Sequence, residues 1–211
     1  DVGQGLALGG ESAALHRVAV HAYVLMNDHL HLLVTPPTAE ALSKMLQAIG
    51  RRYVAAFNRR HGRIGTLWDG RFRATVIENG PHLLTCMRYI EQNPQRLIPP
   101  TPAGDYVWSS AMHHLGRRRD TLVSTHLCHW QLGNTPFERE LAWQRLLDYL
   151  NDDLARLHFT PSSALMPMPD INEAANIAAA RQWMLVAAVW LGLAILSACV
   201  GAWRGRAGGR A

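Results

Sequence analysis

The chain has 211 residues, of which 48% are hydrophobic and 18% are charged, a composition that supports a packed core in one domain of ordinary size. Its net charge of +5 and pI near 9.6 favour an anionic partner, nucleic acid or a membrane surface. Its cysteines exclude a disulfide framework and favour a reducing compartment, because Cys86, Cys128 and Cys199 are few and scattered. The chain begins at Asp1 without a signal-peptide pattern, so the natural N-terminus is expected to lie further upstream.

The first predicted elements form a β-hairpin. Residues 1–10 are glycine-rich and predict no element. Residues 18–26 alternate in the manner of a strand, Asn27-Asp28 suits a tight turn, and residues 29–34 form a second strand. Pro36-Pro37 closes that strand.

Helices dominate the next part of the chain. Thr38 predicts the cap of a long amphipathic helix that reaches about residue 60 and ends at Gly62. A hairpin-like stretch at 62–79 precedes a second helix at 80–92, which Asn93-Pro94 stops. Residues 95–125 are loop-rich, and 137–150 predict another helix. The pattern predicts an α+β fold with helices packed on an antiparallel sheet.

The last quarter of the chain differs in character. Residues 151–182 are predicted to be a linker. Residues 183–203 contain no charge and are predicted to form a hydrophobic helix long enough to cross a bilayer, with a buried core helix as the alternative. Deleting residues 170–211 is predicted to leave nucleic-acid binding intact.

The most informative chemical feature is His29-Leu30-His31. Residues two apart in a strand point to the same face, so the two imidazoles are predicted to lie side by side, where they could bind one divalent cation. The alternative is a pair of ordinary surface histidines.

The predicted helix at 80–92 carries a candidate nucleophile, Tyr89. Asn93 stands about one helical turn after Tyr89, so both residues can face the histidine-bearing strand. This site would suit Mg²⁺ or Mn²⁺, with open positions for phosphate oxygens and a phenol that nearby positive charge could activate. The alternative is a core tyrosine followed by a helix C-terminal asparagine.

The stretch from Lys44 to Arg73 is strongly basic, with eight Lys or Arg residues and one acid, Asp69. Its aromatic residues could stack on unpaired bases, which favours nucleic acid over a merely solvated face. The predicted DNA-binding residues are Lys44, Arg51, Arg52, Arg59, Arg60, Arg63, Trp68, Arg71 and Arg73.

A rival zinc site is less well supported. His126, Cys128 and His129, with His113 and His114 nearby, supply suitable donors. The second cysteine that a standard zinc finger requires is absent, which disfavours zinc.

Four motifs in order resemble the single-tyrosine HUH transposases of the insertion-sequence type, and most closely the REP-associated tyrosine transposases. They lie at residues 23–33, 57–60, 65–72 and 88–94, and they include Asn27-Asp28-His29-Leu30-His31 and Tyr89-Ile90-Glu91-Gln92-Asn93-Pro94. The resemblance covers about residues 11–150.

The resemblance implies a ferredoxin-like antiparallel sheet, Tyr89 as the nucleophile, and a divalent metal on His29, His31 and Asn93. The family's first strand would be missing here, which predicts an exposed edge on the histidine-bearing strand. The implied function is a cytoplasmic, metal-dependent endonuclease and strand transferase that acts on single-stranded or hairpin DNA, as a monomer or a homodimer. The alternative is a catalytically inactive DNA-binding remnant. The hydrophobic tail is foreign to the family and would place the protein at a membrane only if it is a genuine anchor.

Overall fold

The structure, a computed structural model, describes residues 2–68, 70–78, 80–148 and 183–189. Its strands are β1 (Ala19–Leu25), β2 (Leu30–Thr35), β3 (Arg73–Glu78) and β4 (Trp183–Val189). They form an antiparallel sheet in the order β1-β2-β4-β3. The predicted turn between β1 and β2 is confirmed, because the Met26 backbone N–H donates to the His29 carbonyl oxygen at 2.8 Å.

The described helices are α1 (Val2–Leu15), α2 (Ala39–His61), α3 (Pro81–Gln92), α4 (Ala111–His114), α5 (Leu127–Trp130) and α6 (Pro136–Asp148). Short 3-10 helices lie at Asn93–Arg96 and Ala103–Asp105. The predicted limits of α2 are confirmed. The Thr38 side chain accepts the Ala41 N–H, and Gly62 ends the helix in the left-handed conformation at φ 60°.

Two hydrophobic cores lie on opposite faces of the sheet. On one face, Leu33 of β2 packs with α3 and α6. On the other face, Leu32 and Val34 pack with α1 and α2, including Met45 of α2. Neighbouring residues of β2 thus point to different cores, as strand geometry requires. The mixed α/β architecture agrees with the predicted class.

Helix α1 corrects the prediction that residues 1–10 form no element. Its glycines are poor helix formers, but packing outweighs that cost. At Gly5 the helix lies against Leu25 of β1 and Tyr53 of α2, and a Cβ there would make ordinary van der Waals contact with both side chains at 3.6 Å. Leu8 and Ala13 of the helix are buried.

The C-terminal prediction is wrong at residues 183–189, which form β4 rather than the start of a helix. A short apolar run such as Trp183–Val189 suits either element, and periodicity alone does not separate them. Here the run pairs with β2 on one side and β3 on the other, and so fills the edge that the histidine-bearing strand was predicted to expose. The rest of the predicted helix, the 151–182 linker and the end of the 137–150 helix lie outside the described residues.

Two further features refine the predictions. Among the described residues of 62–79, β3 is the one strand, and its partner is β4 rather than a neighbouring hairpin arm. In the part of the chain that the structure describes, no helix combines the length and apolar character needed to cross a membrane.

Candidate active site

The two histidines lie side by side, as the sequence predicts. His29 immediately precedes β2 and His31 lies within it, and their ring centroids are 4.9 Å apart in an edge-to-face arrangement. Asp28 receives a 2.6 Å hydrogen bond from His29 Nδ1. A hydrogen bond from Nδ1 to a carboxylate fixes the orientation of an imidazole ring and leaves Nε2 pointing away from the carboxylate. Histidines that bind a metal through one ring nitrogen usually make such a bond with the other.

His31 is buried, with 6% of its surface exposed. Burial chiefly, and then the nearby His29 and Arg96, lower the pKa of His31 from its ordinary value of 6.5 to about 4. The imidazole is therefore neutral at pH 7, and a neutral imidazole is the form that binds a metal.

Tyr89 lies next to this pair. Helix α3 is anchored by the fully buried Leu83 and Met87 and by Ile90, which is 1% exposed, in the core beneath β1 and β2. This anchoring places Tyr89 on the flank of α3 that faces β2, with its ring centroid 5.9 Å from that of His31. The structure therefore brings together the predicted nucleophile and the predicted metal-binding strand within one chain.

Asn93 follows one turn after Tyr89 and is buried, with 3% of its surface exposed. Its side-chain N–H group donates to the Tyr89 carbonyl at 2.9 Å and to the Ile90 carbonyl at 3.4 Å. These bonds commit the amide nitrogen to the end of α3 and leave Oδ1 as the side-chain atom that could bind a cation. Asn93 thus caps α3, and its role as a metal ligand stays a prediction.

Arg96 is a site residue that the sequence analysis missed. Its guanidinium carbon lies 4.7 Å from the centroid of the Tyr89 ring, and its Nη1 donates to the Tyr89 hydroxyl at 3.2 Å. Arg96 follows Tyr89 by seven residues, two helical turns, and this spacing was the available signal. The proline at position 94 concealed it, because it predicts the end of the helix rather than its continuation as a 3-10 turn.

Glu91 is a second residue that the sequence analysis missed. It lies between Tyr89 and Asn93 in the sequence, and its side chain is completely buried. Its Oε1 accepts hydrogen bonds from Ser110 at 2.5 Å and from His114 Nδ1 at 2.6 Å, and its Oε2 accepts one from Trp143 Nε1 at 2.8 Å. These partners tie α3 to α4 and α6. A buried carboxylate in the middle of a motif would have been the signal, but its partners lie 19 to 52 residues away.

The predicted DNA-binding residues of α2 lie on the other side of the molecule from Tyr89. Helix α2 packs on the sheet face opposite α3, so its exposed basic residues do not line the histidine pair. Arg52 forms a 2.7 Å ion pair with Glu11, and Arg60 donates to Gln4 at 3.4 Å, so both contact α1. The other predicted basic residues of this helix, all exposed, are Lys44, Arg51 and Arg59.

The remaining predicted DNA-binding residues are divided between the two faces. Arg63 and Trp68 are partly buried, and Trp68 stacks on Tyr53 of α2 with ring centroids 6.0 Å apart. Arg71 is exposed. Arg73 is exposed at the start of β3. Alternate residues of a strand share a face, so Arg73 points to the same face as Ile77, which packs in the core beneath α3. Arg73 therefore belongs to the face that carries His31.

The sheet register relates Arg73 to the histidines. His31 of β2 pairs with Ala188 of β4, and Ala188 pairs with Arg73 of β3. Two strand spacings separate the Cα atoms of His31 and Arg73, about 10 Å. Of the predicted basic residues, Arg73 is thus the one that the sheet places in the same row as the candidate metal site.

The rival zinc site is not formed. Among the described residues, no group of three or more His, Cys, Asp or Glu side chains could hold a metal ion. His126 instead caps α5, where its Nδ1 accepts the Cys128 N–H. The His29, His31 and Asn93 set differs from such groups because its third donor is an amide.

Comparison with known families addresses the same stretch of chain. Residues 8–93 match the model of a family described as "Transposase IS200 like". The match supports the transposase family. It includes His29, His31, Tyr89 and Asn93, covers less than half of the 211 residues, and supports a transposase-like, DNA-processing function. No curated protein and no solved structure gives a significant match to the chain.

Proposed function

We propose that this protein is a metal-dependent single-stranded DNA endonuclease and strand transferase of the REP-associated kind. The observation that carries the proposal is the contact between Tyr89 and His31, within a histidine pair whose rings are 4.9 Å apart. This contact lies in the stretch that matches the transposase family. A ferredoxin-like sheet and a cytoplasmic location are parts of the same proposal.

The donor set fits a divalent cation. His29 Nε2, the neutral His31 imidazole and Asn93 Oδ1 would hold Mg²⁺ or Mn²⁺, because nitrogen and oxygen donors together suit such ions. When bound, the ion polarises a phosphodiester and offsets the negative charge that gathers on it during attack. Asp28 supports this role by fixing the His29 ring.

Tyr89 supplies the nucleophile. Its phenolic oxygen bonds to phosphorus while the bond between phosphorus and the 3′-oxygen breaks, which yields a 5′-phosphotyrosine and a free 3′-hydroxyl. The phenol loses one proton to solvent and the departing 3′-oxygen gains one, so protons balance. In strand transfer, a 3′-hydroxyl attacks the phosphotyrosine and releases Tyr89.

The DNA substrate of the proposal is a single strand or a hairpin. Arg73 lies in the row of the candidate metal site and suits a phosphate next to the scissile one. The exposed arginines of α2, on the opposite face, suit a more distant part of a folded-back strand.

The direct test is the covalent adduct. Full-length protein is incubated with Mn²⁺ and a labelled single strand that contains a palindrome, and the adduct is resolved by denaturing electrophoresis and mapped by peptide analysis. The expected result is an adduct on Tyr89 that Tyr89→Phe abolishes and that Tyr106→Phe, a variant of a tyrosine in the 95–125 region, retains. An adduct mapped to another tyrosine, or none with intact protein, contradicts the proposal.

One observation favours the alternative, a DNA-binding remnant without catalysis. The basic face of α2 is separate from the tyrosine face, so binding does not require an intact site. Metal binding distinguishes the two functions. Mn²⁺ affinity that His29→Ala and His31→Ala leave unchanged, in a chain that binds DNA, supports the remnant.

A further inference from the structure

Arg96 places a positive charge beside Tyr89. Arg96 contacts the phenol in two ways: its guanidinium lies over the ring at 4.7 Å, and Nη1 donates to the hydroxyl oxygen at 3.2 Å. The first contact restricts rotation of the ring, and the second is a hydrogen bond to the oxygen atom that would attack phosphorus.

The backbone that carries Arg96 is held firmly. Asn93 and Pro94, which begin the 3-10 helix Asn93–Arg96, are buried. The Pro94 carbonyl accepts hydrogen bonds from the Leu97 and Thr101 N–H groups, both at 3.1 Å. An exposed arginine on a fixed turn can therefore keep its guanidinium at the Tyr89 hydroxyl and still reach a phosphate from the solvent side.

We propose that Arg96 positions the Tyr89 phenol for attack and stabilises the negative charge that passes from its oxygen to the phosphate. This inference rests on the proposed function of Tyr89. Arg96 remains protonated throughout, so it cannot accept the phenolic proton, which leaves to solvent. Arg96 contributes a positive charge and holds the phenolic oxygen in a fixed orientation. A guanidinium can hold the phenolic oxygen with one N–H and a phosphate oxygen with another, which a single ammonium group does less well.

The test compares single-turnover adduct formation, with Mn²⁺ and saturating DNA, in full-length wild type, Arg96→Gln and Arg96→Lys. Arg96→Gln is expected to react about 100-fold more slowly, the usual effect of losing one donor at a reacting oxygen. Arg96→Lys is expected to recover part of this loss, because it keeps the charge and loses the planar geometry. DNA affinity, measured in a Tyr89→Phe background to prevent reaction, is expected to change no more than about threefold.

A matched control removes a charge elsewhere. Arg119 is an exposed loop arginine that lies with Leu6 and Ala7 of α1 along one open groove, so Arg119→Gln is expected to react at the wild-type rate. Because Arg96 is exposed, Arg96→Gln is expected to unfold at the same temperature as wild type, which separates a rate effect from misfolding.

The outcomes separate the two proposals. If wild type forms a Tyr89 adduct and Arg96→Gln forms it equally fast, the Arg96 inference alone is overturned. A rate loss fully explained by weaker DNA binding also overturns it, since Arg96 would then be an ordinary phosphate contact. If wild type forms no Tyr89 adduct, the proposed function is overturned, and the Arg96 inference with it.

Discussion

Glu91 shows how a single side chain holds the tyrosine helix in place. It lies between Tyr89 and Asn93 in sequence and points into the protein, where two donors from α4 and its N-cap and one donor from α6 converge on its carboxylate. Full satisfaction of this kind makes a buried carboxylate tolerable, because the hydrogen bonds replace the water that it has lost. The position of Tyr89 therefore depends on contacts made on the opposite side of α3.

Replacing Glu91 is expected to destabilise the whole domain. Glu91→Ala removes the buried acceptor of His114 and Trp143 and one of the two acceptors of Ser110, which is expected to cost about 3 kcal/mol or more of the free energy of unfolding. The measurement is urea denaturation followed by circular dichroism. The control is Asp105→Asn at an exposed ion pair with Arg117, expected to cost less than about 1 kcal/mol. Equal costs for both variants would contradict this account.

At the scale of an element, α2 offers a test of DNA contact that uses its observed pairing. Arg51 and Arg59 are exposed, whereas Arg52 is paired with Glu11. If α2 contacts phosphates, Arg51→Ala and Arg59→Ala should each reduce the slope of log affinity against log salt by about one unit. Arg52→Ala should reduce it less, because that charge is already partly neutralised. Binding titrations at several salt concentrations make the measurement, and identical slopes in all variants would exclude α2 from the interface.

Strand β4 reverses the expectation that the C-terminal region can be removed without effect. It forms ladders with both β2 and β3, so a chain that ends at residue 182 leaves two open edges. We expect that truncated chain to lose DNA binding and to aggregate. A chain that ends at Val189 keeps β4 and is the matched control, expected to remain folded. Solubility and thermal unfolding of the two truncations provide the measurement, and equal behaviour would show that β4 is dispensable.

Local signals in the sequence predicted the elements that depend on neighbouring residues. The Asn27-Asp28 turn, the Thr38 cap and the Gly62 end of α2 are all short-range features, and all are confirmed. Helix α1 and strand β4 were missed because their contacts are distant in sequence. Ala13 of α1 packs in the core with Met45 of α2, and residues 183–189 pair with β2 and β3.

The same distinction between local and distant contacts applies to the candidate site. The side-by-side histidines follow from strand alternation, and the turn between Tyr89 and Asn93 follows from helix geometry, so both were predictable. Arg96 and the partners of Glu91 were not, since their roles depend on how the chain folds back after Pro94 and at α4 and α6. The placement of α2 on the opposite face was also beyond the sequence, because charge density does not reveal which face of the sheet a helix covers.

At the scale of the whole molecule, the position of Tyr89 bears on how many chains make one site. Tyr89 and His31 contact each other within a single chain, at 5.9 Å between ring centroids. We therefore expect each chain to carry a complete site. In mixtures of His31→Ala and Tyr89→Phe, adduct formation should stay at the level of the separate variants. Recovery of adduct in the mixture would show instead that the tyrosine of one chain acts at the histidines of another.

The order of the strands in the sheet also differs from the order in which they are synthesised. Three strands and the tyrosine helix emerge from the ribosome early, but the strand that joins β2 to β3 is made about 100 residues after β3. At a synthesis rate of roughly 5 to 20 residues per second, the edges of β2 and β3 wait about 5 to 20 s for their partner. During that interval the edges of β2 and β3 that pair with β4 lack their partner strand, and the sheet is completed only once β4 has been made.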